Sequence, residues 1–252
     1  MVRPSTRFSL HCNLALSTLV TLSPHWSKRY EDEGRLLNKK NTFSDYLACA
    51  DHLVVEGWTQ NGLIAAEGGS AAGILMGFVA NERPSLFAAV LGSVPFVDAV
   101  VTMCDSSIPL GETKKYNCAQ NRLRTLTYKR IPFPAVTTEF DEWGNPNERE
   151  AFDYMFSYDP MRNTRAQAYP AIFLTAGLND SRVGYWEPAK FVQRLRASNT
   201  GPQHVLFKCE MDEGHVGALD RFRSLRSRAL ELAWMLDRLS EAQAKGGGAP
   251  RK

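Results

Sequence analysis

Apolar residues in this chain follow two patterns, short unbroken runs and helical spacing. Leu63–Ala66, Ala88–Val94, Ala171–Ala176 and His204–Cys209 are mainly apolar runs, too short for helices, and they read as buried strands. Before the first, Phe43, Tyr46, Leu47, Ala50, Leu53 and Val54 share one helical face and predict an amphipathic helix over Ser44–Glu56, closed by Gly57. Small and apolar residues after Ser70 predict a packed helix ending near Asn81, before Pro84. Val97–Met103 reads as a short helix or loop. Pro188–Ala197 reads as a helix with Phe191, Val192 and Leu195 inward, and Ala218–Leu239 as a long helix. Apolar strands alternating with helices predict an α/β fold, a mostly parallel sheet flanked by helices.

The stretch Leu63–Gly77, L-I-A-A-E-G-G-S-A-A-G-I-L-M-G, joins strand to helix through a sharp turn with Ser70 at its tip. That is the layout of a nucleophile elbow, G-x-S-x-G, except that Ala72 stands where the last glycine is expected and Gly73 follows. The methyl of Ala72 is expected to crowd the turn. Gly68 and Gly69 are expected to permit it. The Ala71 amide, at the start of the helix, would face a developing oxyanion. The plainer reading is a glycine-rich turn with an incidental serine.

Composition narrows the field without choosing a function. With 252 residues, 44% of them hydrophobic, the chain can bury one substantial core. A net charge of +3 implies neither nucleic acid nor an anionic membrane as partner. No apolar run is long enough to span a bilayer. Leu10–Leu22 is mildly apolar but interrupted by His11, Cys12 and Asn13, and it lacks a clear cleavage site. Cys12, Cys49, Cys104, Cys118 and Cys209 are scattered, so neither a zinc site nor a disulfide framework is indicated, and a reducing, cytoplasmic compartment is expected.

Parallel sheets gather functional groups at the carboxyl ends of their strands. Ser70 follows the first strand, Asp180 the third (G-L-N-D-S-R) and His215 the fourth (D-E-G-H-V-G). Ser, Asp, His is the chain order of α/β-hydrolases. In that reading Ser70 is the nucleophile, His215 takes its proton, and Asp180 orients the ring and stabilises its cationic form. Taken singly, each residue is equally at home in a turn. His11, His25, His52 and His204 have no such setting, and Glu31, Asp32 and Glu33 read as a solvated face.

From about Tyr30 onward the chain resembles the oligopeptidase B group of the prolyl-oligopeptidase family of serine peptidases. The carriers are Y-E-D-E-G-R-L-L-N-K-K-N-T-F, G-G-S-A-A-G, S-V-P-F-V-D, T-M-C-D-S-S-I-P-L, E-F-D-E-W-G-N-P, N-D-S-R-V-G-Y-W-E-P-A-K and E-G-H. The resemblance implies an α/β-hydrolase catalytic domain that cleaves short peptides after Arg or Lys through an acyl-enzyme, with no metal or cofactor. It implies Ser70, Asp180 and His215 as the triad and Glu139 and Asp141 as partners of the substrate's basic side chain. It places Phe96 beside that pocket and Arg182 on a substrate carbonyl. Two carboxylates in a partly dry pocket would suit a guanidinium fork. Without the resemblance, Glu139 and Asp141 read as a solvated acidic loop.

Two departures shape the expectations. Residues 1–29 contain no counterpart of the family's β-propeller or of the front of its catalytic domain, so they stay unassigned, and Leu14–Leu22 is the one stretch that could supply a substitute strand. Residues 30–240 form a partial catalytic domain, and 241–252 a disordered tail. Impaired activity and self-association through an exposed sheet edge are the expectation. The alternatives are an inactive fragment serving as an interaction module, or an esterase-like or aminopeptidase-like relative. Second, Gly111–Val136 interrupts the resemblance with a basic insertion. Its ends can be encoded with splice-donor-like and acceptor-like sequences, so a retained intron is expected, and a loose, dispensable segment.

Overall fold

The computed structural model describes residues 33–105 and 138–245. Four parallel strands, β1 (Ile64–Gly69), β2 (Phe87–Ser93), β3 (Ala171–Gly177) and β4 (Val205–Glu210), lie in the order β1-β2-β3-β4. Each predicted strand is present, three of them within one residue at either end, while β1 runs three residues past the predicted Ala66 to Gly69. Residues 1–32 and 106–137, which include the Leu14–Leu22 stretch and the Gly111–Val136 insertion, lie outside the described residues.

Spatial order equals chain order, so every crossover steps the same way across the sheet. Right-handed connections then put the crossover helices on one face. On that face lie α1 (Lys40–Val55), α2 (Gly73–Glu82), α3 (Ala99–Cys104) and α6 (Trp186–Ser198), which bury Phe43, Tyr46, Ile74, Met76, Val79, Phe191 and Leu195 against Ile64, Ala66, Val90, Ile172 and Leu174. Strand alternation sends Leu91 and Phe173 to the other face. There α7 (Arg221–Lys245) returns across the sheet, packing Met235 and Trp234 on them. Arg228 of α7 also pairs with Glu67 of β1.

Helix α2 is buried nearly all round, and its last turn needs help. Four carbonyls at a helix end lack intrahelical partners. The Asn81 carbonyl accepts from Arg165 Nη2 (2.9 Å) and Gln167 Nε2 (2.8 Å), and its side chain donates to the Pro160 carbonyl (2.9 Å).

Several boundaries differ from the sequence reading, each for a tertiary reason. Helix α1 starts at Lys40 rather than Ser44, because the Tyr154 hydroxyl accepts from the Lys40 amide at 3.0 Å and a 3₁₀ turn, Leu36–Asn38, leads in. Ser44 bonds back to the Lys40 and Asn41 carbonyls instead of capping. Strand β4 is not fully buried: it forms an edge, and Leu206 is exposed. Helix α7 runs on to Lys245, so residues 241–245 are ordered helix, and the remaining tail lies outside the described residues. Two short helices were not foreseen, α4 (Thr138–Trp143) and α5 (Arg149–Phe156).

Three carboxylates are buried beneath the Val97–Thr102 segment. Asp98 pairs with Lys190 (2.6 Å) and Arg162 (3.2 Å). Asp159 accepts from the amides of Val100 (2.9 Å) and Arg162 (3.1 Å). Burial pushes the Asp159 carboxyl up to about 6 and that of Glu187 to about 7. A group whose folded pKa is raised favours the fold fully below its unfolded value, and this contribution is lost as pH rises through the folded value. Thermal stability should therefore fall between about pH 5 and about pH 7.5, by a few kcal/mol at most. Scanning calorimetry across that window checks this, and a stability rising steadily with pH there contradicts it.

Candidate active site

Ser70 sits between β1 and α2 with φ +51°, in the left-handed region that side chains disfavour. The glycines around it serve close approach rather than unusual dihedrals. Gly69 is extended, and a Cβ there would lie 2.9 Å from the Ser93 carbonyl oxygen; one on Gly73 would lie 2.4 Å from Pro95 Cα. The serine itself bears the strain, on the order of 1–3 kcal/mol. The Phe96 amide holds the turn by donating to the Ser70 carbonyl at 2.9 Å. Ala72 is exposed with ordinary helical dihedrals, so its methyl does not crowd the turn as expected. Ala71, the middle residue of the 3₁₀ turn Ser70–Ala72, is exposed.

Asp180 and His215 arrive on the loops after β3 and β4. His215 Nε2 lies 2.9 Å from Ser70 Oγ, and Nδ1 lies 2.8 Å from Asp180 Oδ2. The other carboxylate oxygen of Asp180 accepts from the amides of Arg182 (2.8 Å) and Val183 (2.9 Å). The Asp180 side chain is wholly buried and that of His215 is 13% exposed, so water is largely kept from their bond. With Nδ1 protonated, Nε2 is free to accept from the serine hydroxyl. The three residues singled out in the sequence are thus brought into one hydrogen-bonded chain.

The two loops meet because Gly177 has no side chain. A Cβ there would fall 2.5 Å from the Glu213 carbonyl oxygen and 2.8 Å from that of Gly214. In that gap the Asn179 amide donates to Glu213 (2.9 Å) and the Leu178 amide to Glu210 (2.8 Å). His215 follows directly.

Beside the serine turn, Phe96 is buried and packs edge-on against Trp143, ring centroids 5.3 Å apart. The Trp143 indole donates to Glu139 at 2.8 Å, and Lys39 lies over the Trp143 ring while pairing with Glu142. Glu139 and Asp141 lie on α4, not in a loop. Residues two apart on a helix do not face each other, and Asp141 is exposed while Glu139 is partly buried. The Arg182 side chain is exposed at the mouth of the Asp180 loop. The sequence reading passed over Trp143, Lys39 and Glu187, which no local pattern marks. Among the described residues no cluster of three His, Cys, Asp or Glu side chains has metal-binding geometry, and no helix is long and apolar enough to cross a membrane.

Comparison with known proteins places this geometry among relatives. The profile described as "Prolyl oligopeptidase family" matches residues 20–133 and 122–242, two pieces that overlap inside the basic insertion. Dipeptidyl aminopeptidase BI of Pseudoxanthomonas mexicana is 45% identical over 85% of this chain and 26% of its own length. Protease 2 of Moraxella lacunata is 43% identical over 86% of this chain and 28% of its own. The structure of oligopeptidase B from Leishmania major superposes with TM-score 0.72 at 43% identity, over 84% of this chain and 26% of that one. Oligopeptidase B from Trypanosoma brucei with covalently bound antipain gives TM-score 0.72 at 44% identity. The chain spans about a quarter of the length of the relatives it matches.

Gly177→Ala should separate the two loops. The expected loss of stability is about 1–3 kcal/mol, as for other overpacked sites, read by urea unfolding. A variant as stable as the parent would show that the loops do not depend on this approach.

Proposed function

The chain belongs to the prolyl oligopeptidase family of serine peptidases, and on that premise we propose that it carries the catalytic machinery of an oligopeptidase cleaving short peptides after Arg or Lys. The observation that carries the reading is the hydrogen-bonded chain Ser70–His215–Asp180 at the carboxyl ends of an α/β-hydrolase sheet.

The chemistry follows from those atoms. As Ser70 Oγ attacks the peptide carbonyl carbon, its proton passes to His215 Nε2. Asp180, fixed by two backbone amides, stabilises the imidazolium without taking its proton. The carbonyl oxygen becomes an oxyanion facing the Ala71 amide. When the C–N bond breaks, His215 returns the proton to the leaving amine and an ester remains on Ser70. Water, deprotonated by the same imidazole, then attacks that ester and restores the serine.

Glu139 supplies the specificity in this reading. It is joined to the serine turn through Trp143 and Phe96, so a basic side chain seated on Phe96 would meet a held carboxylate. Asp141 stands further out on α4 and adds charge rather than a second prong of one fork. Arg182 would hold a substrate carbonyl. A second reading, an aminopeptidase releasing dipeptides, draws on the relative named dipeptidyl aminopeptidase BI. The β1 edge, unpaired among the described residues, and the exposed apolar residues of α7, Phe222 and Leu225, support self-association, which sedimentation would reveal.

Ala71 is the one oxyanion donor the sequence identifies, and loss of a single donor typically costs about 10²–10³-fold in rate. The ratio of rates between substrates is the informative quantity. Arginyl amides should be cleaved at least about tenfold faster than matched alanyl amides, the scale of one charge-assisted hydrogen bond. Ser70→Ala should abolish both reactions, and Glu139→Gln should erase most of the preference. Equal rates on the two substrates would remove the basic pocket. A requirement for a free amino terminus two residues before the cut would favour the aminopeptidase.

A further inference from the structure

The segment between β2 and α3 is an unusual piece of backbone. Val94 adopts φ +45°, a conformation that a β-branched residue avoids. Two residues later the Phe96 amide holds the carbonyl of Ser70, itself left-handed. Two strained residues therefore share one short connection, and strained backbone persists only where its surroundings hold it. On the β3 side the Val94 amide donates to the Thr175 carbonyl at 2.9 Å. Further along the segment, the holding group is a side chain from elsewhere in the chain.

That side chain is Glu187, fully buried in the first turn of α6. Its Oε2 accepts from the amides of Val97 and Asp98, each at 3.0 Å, and its Oε1 lies 2.6 Å from the Thr102 hydroxyl. Val97, Asp98 and Thr102 are themselves buried, so water cannot replace these bonds. We infer that Glu187 is the positioning residue of the serine turn: by gripping the Val97 and Asp98 amides it fixes Phe96, and through the Phe96 amide it holds Ser70 at its working angle. The chemical consequence rests on Ser70 being the nucleophile; the structural part does not.

The grip survives a change of charge. Both amides bond to one oxygen, while the other faces a hydroxyl that can either donate or accept. A protonated Glu187 therefore keeps all three bonds, its own O–H donating to Thr102 Oγ1. The charged groups around it allow either state. Burial raises its pKa most, its bonds to Thr102 and the two amides oppose the rise, and the charge of Asp98 adds to it; Arg162 of the loop after α5 and Lys190 of α6 pair with Asp98, and Asp159 is bonded to the Val100 and Arg162 amides. Glutamine reproduces the protonated acid, its carbonyl taking both amides and its NH₂ donating to Thr102. Alanine leaves two buried amides without partners.

The test compares the 252-residue chain with Glu187→Ala and Glu187→Gln at one pH. Hydrogen exchange is read at the Val97 and Asp98 amides, with the β2–β3 ladder as internal reference, and the labelling rate of Ser70 by a fluorophosphonate is read alongside. Glu187→Ala should speed exchange at Val97 and Asp98 at least about tenfold relative to the ladder, and slow labelling by a similar factor, whereas Glu187→Gln should restore the slow exchange. A shallower fall of stability in Glu187→Gln between about pH 5 and pH 7.5, with the share of Asp159 left, is a third sign. Unchanged exchange at both amides in Glu187→Ala overturns the inference, as does a uniform rise across the ladder or a failure of glutamine to restore. If the parent chain takes no label, the proposed function fails and the exchange pattern alone decides the role of Glu187. If Glu187→Ala does not fold, Glu187→Asp takes its place, its side chain one methylene too short to reach both amides and Thr102: faster local exchange supports the grip, and none overturns it.

Discussion

The hydrogen bond from the Phe96 amide to the Ser70 carbonyl is the constraint on which the site depends. It ties the turn after β1 to the turn after β2, and each turn holds a side-chain-bearing residue in the left-handed region, Ser70 and Val94. Neither conformation is locally favoured, each costing on the order of 1–2 kcal/mol. They survive because the glycines at 69 and 73 let the neighbouring backbone close in, and because the segment beyond Phe96 is gripped from α6. The result lifts the serine hydroxyl above the sheet edge, facing the two loops that follow β3 and β4.

Those loops reach it because of the topology. Spatial order follows chain order, so all four strands end on the same side, and a residue just past each end needs only a short loop to reach its neighbours. Gly177 then sets how closely the last two loops approach. Asp180 spends one oxygen on backbone amides and keeps the other for His215, which fixes the carboxylate before the imidazole meets it. In the proposed function a rigid acceptor behind His215 serves its work as general base, because productive geometry tolerates deviations of only about half an ångström.

The sequence revealed the site better than it revealed what supports the site. The four strands were legible because buried parallel strands are unbroken apolar runs, and Ser70, Asp180 and His215 because strand ends are where such sheets do chemistry. Glu139 was singled out only through resemblance, and the helix that carries it was not legible, since six residues give too little periodicity to read. Helix α5 was missed although Phe152 and Met155 have the right spacing, because eight residues cover little more than two turns. Glu187 and Lys39 were not singled out. Their burial depends on partners at the far side of the fold, Val97 with Thr102 and Glu142, and no local window contains both halves of such a contact. The same holds for the start of α1, which Tyr154 sets from more than a hundred residues away.

The central claim is that Ser70 in this chain is an activated nucleophile rather than a serine in a tight turn. Covalent labelling by a fluorophosphonate, mapped by peptide mass spectrometry in the parent and in His215→Ala, tests it most directly, because the probe needs an activated hydroxyl but no leaving amine. The account predicts one modified residue, Ser70, with labelling at least about 10³-fold slower without the imidazole, as for loss of a general base. Labelling elsewhere, or a rate at Ser70 indifferent to His215, would contradict it.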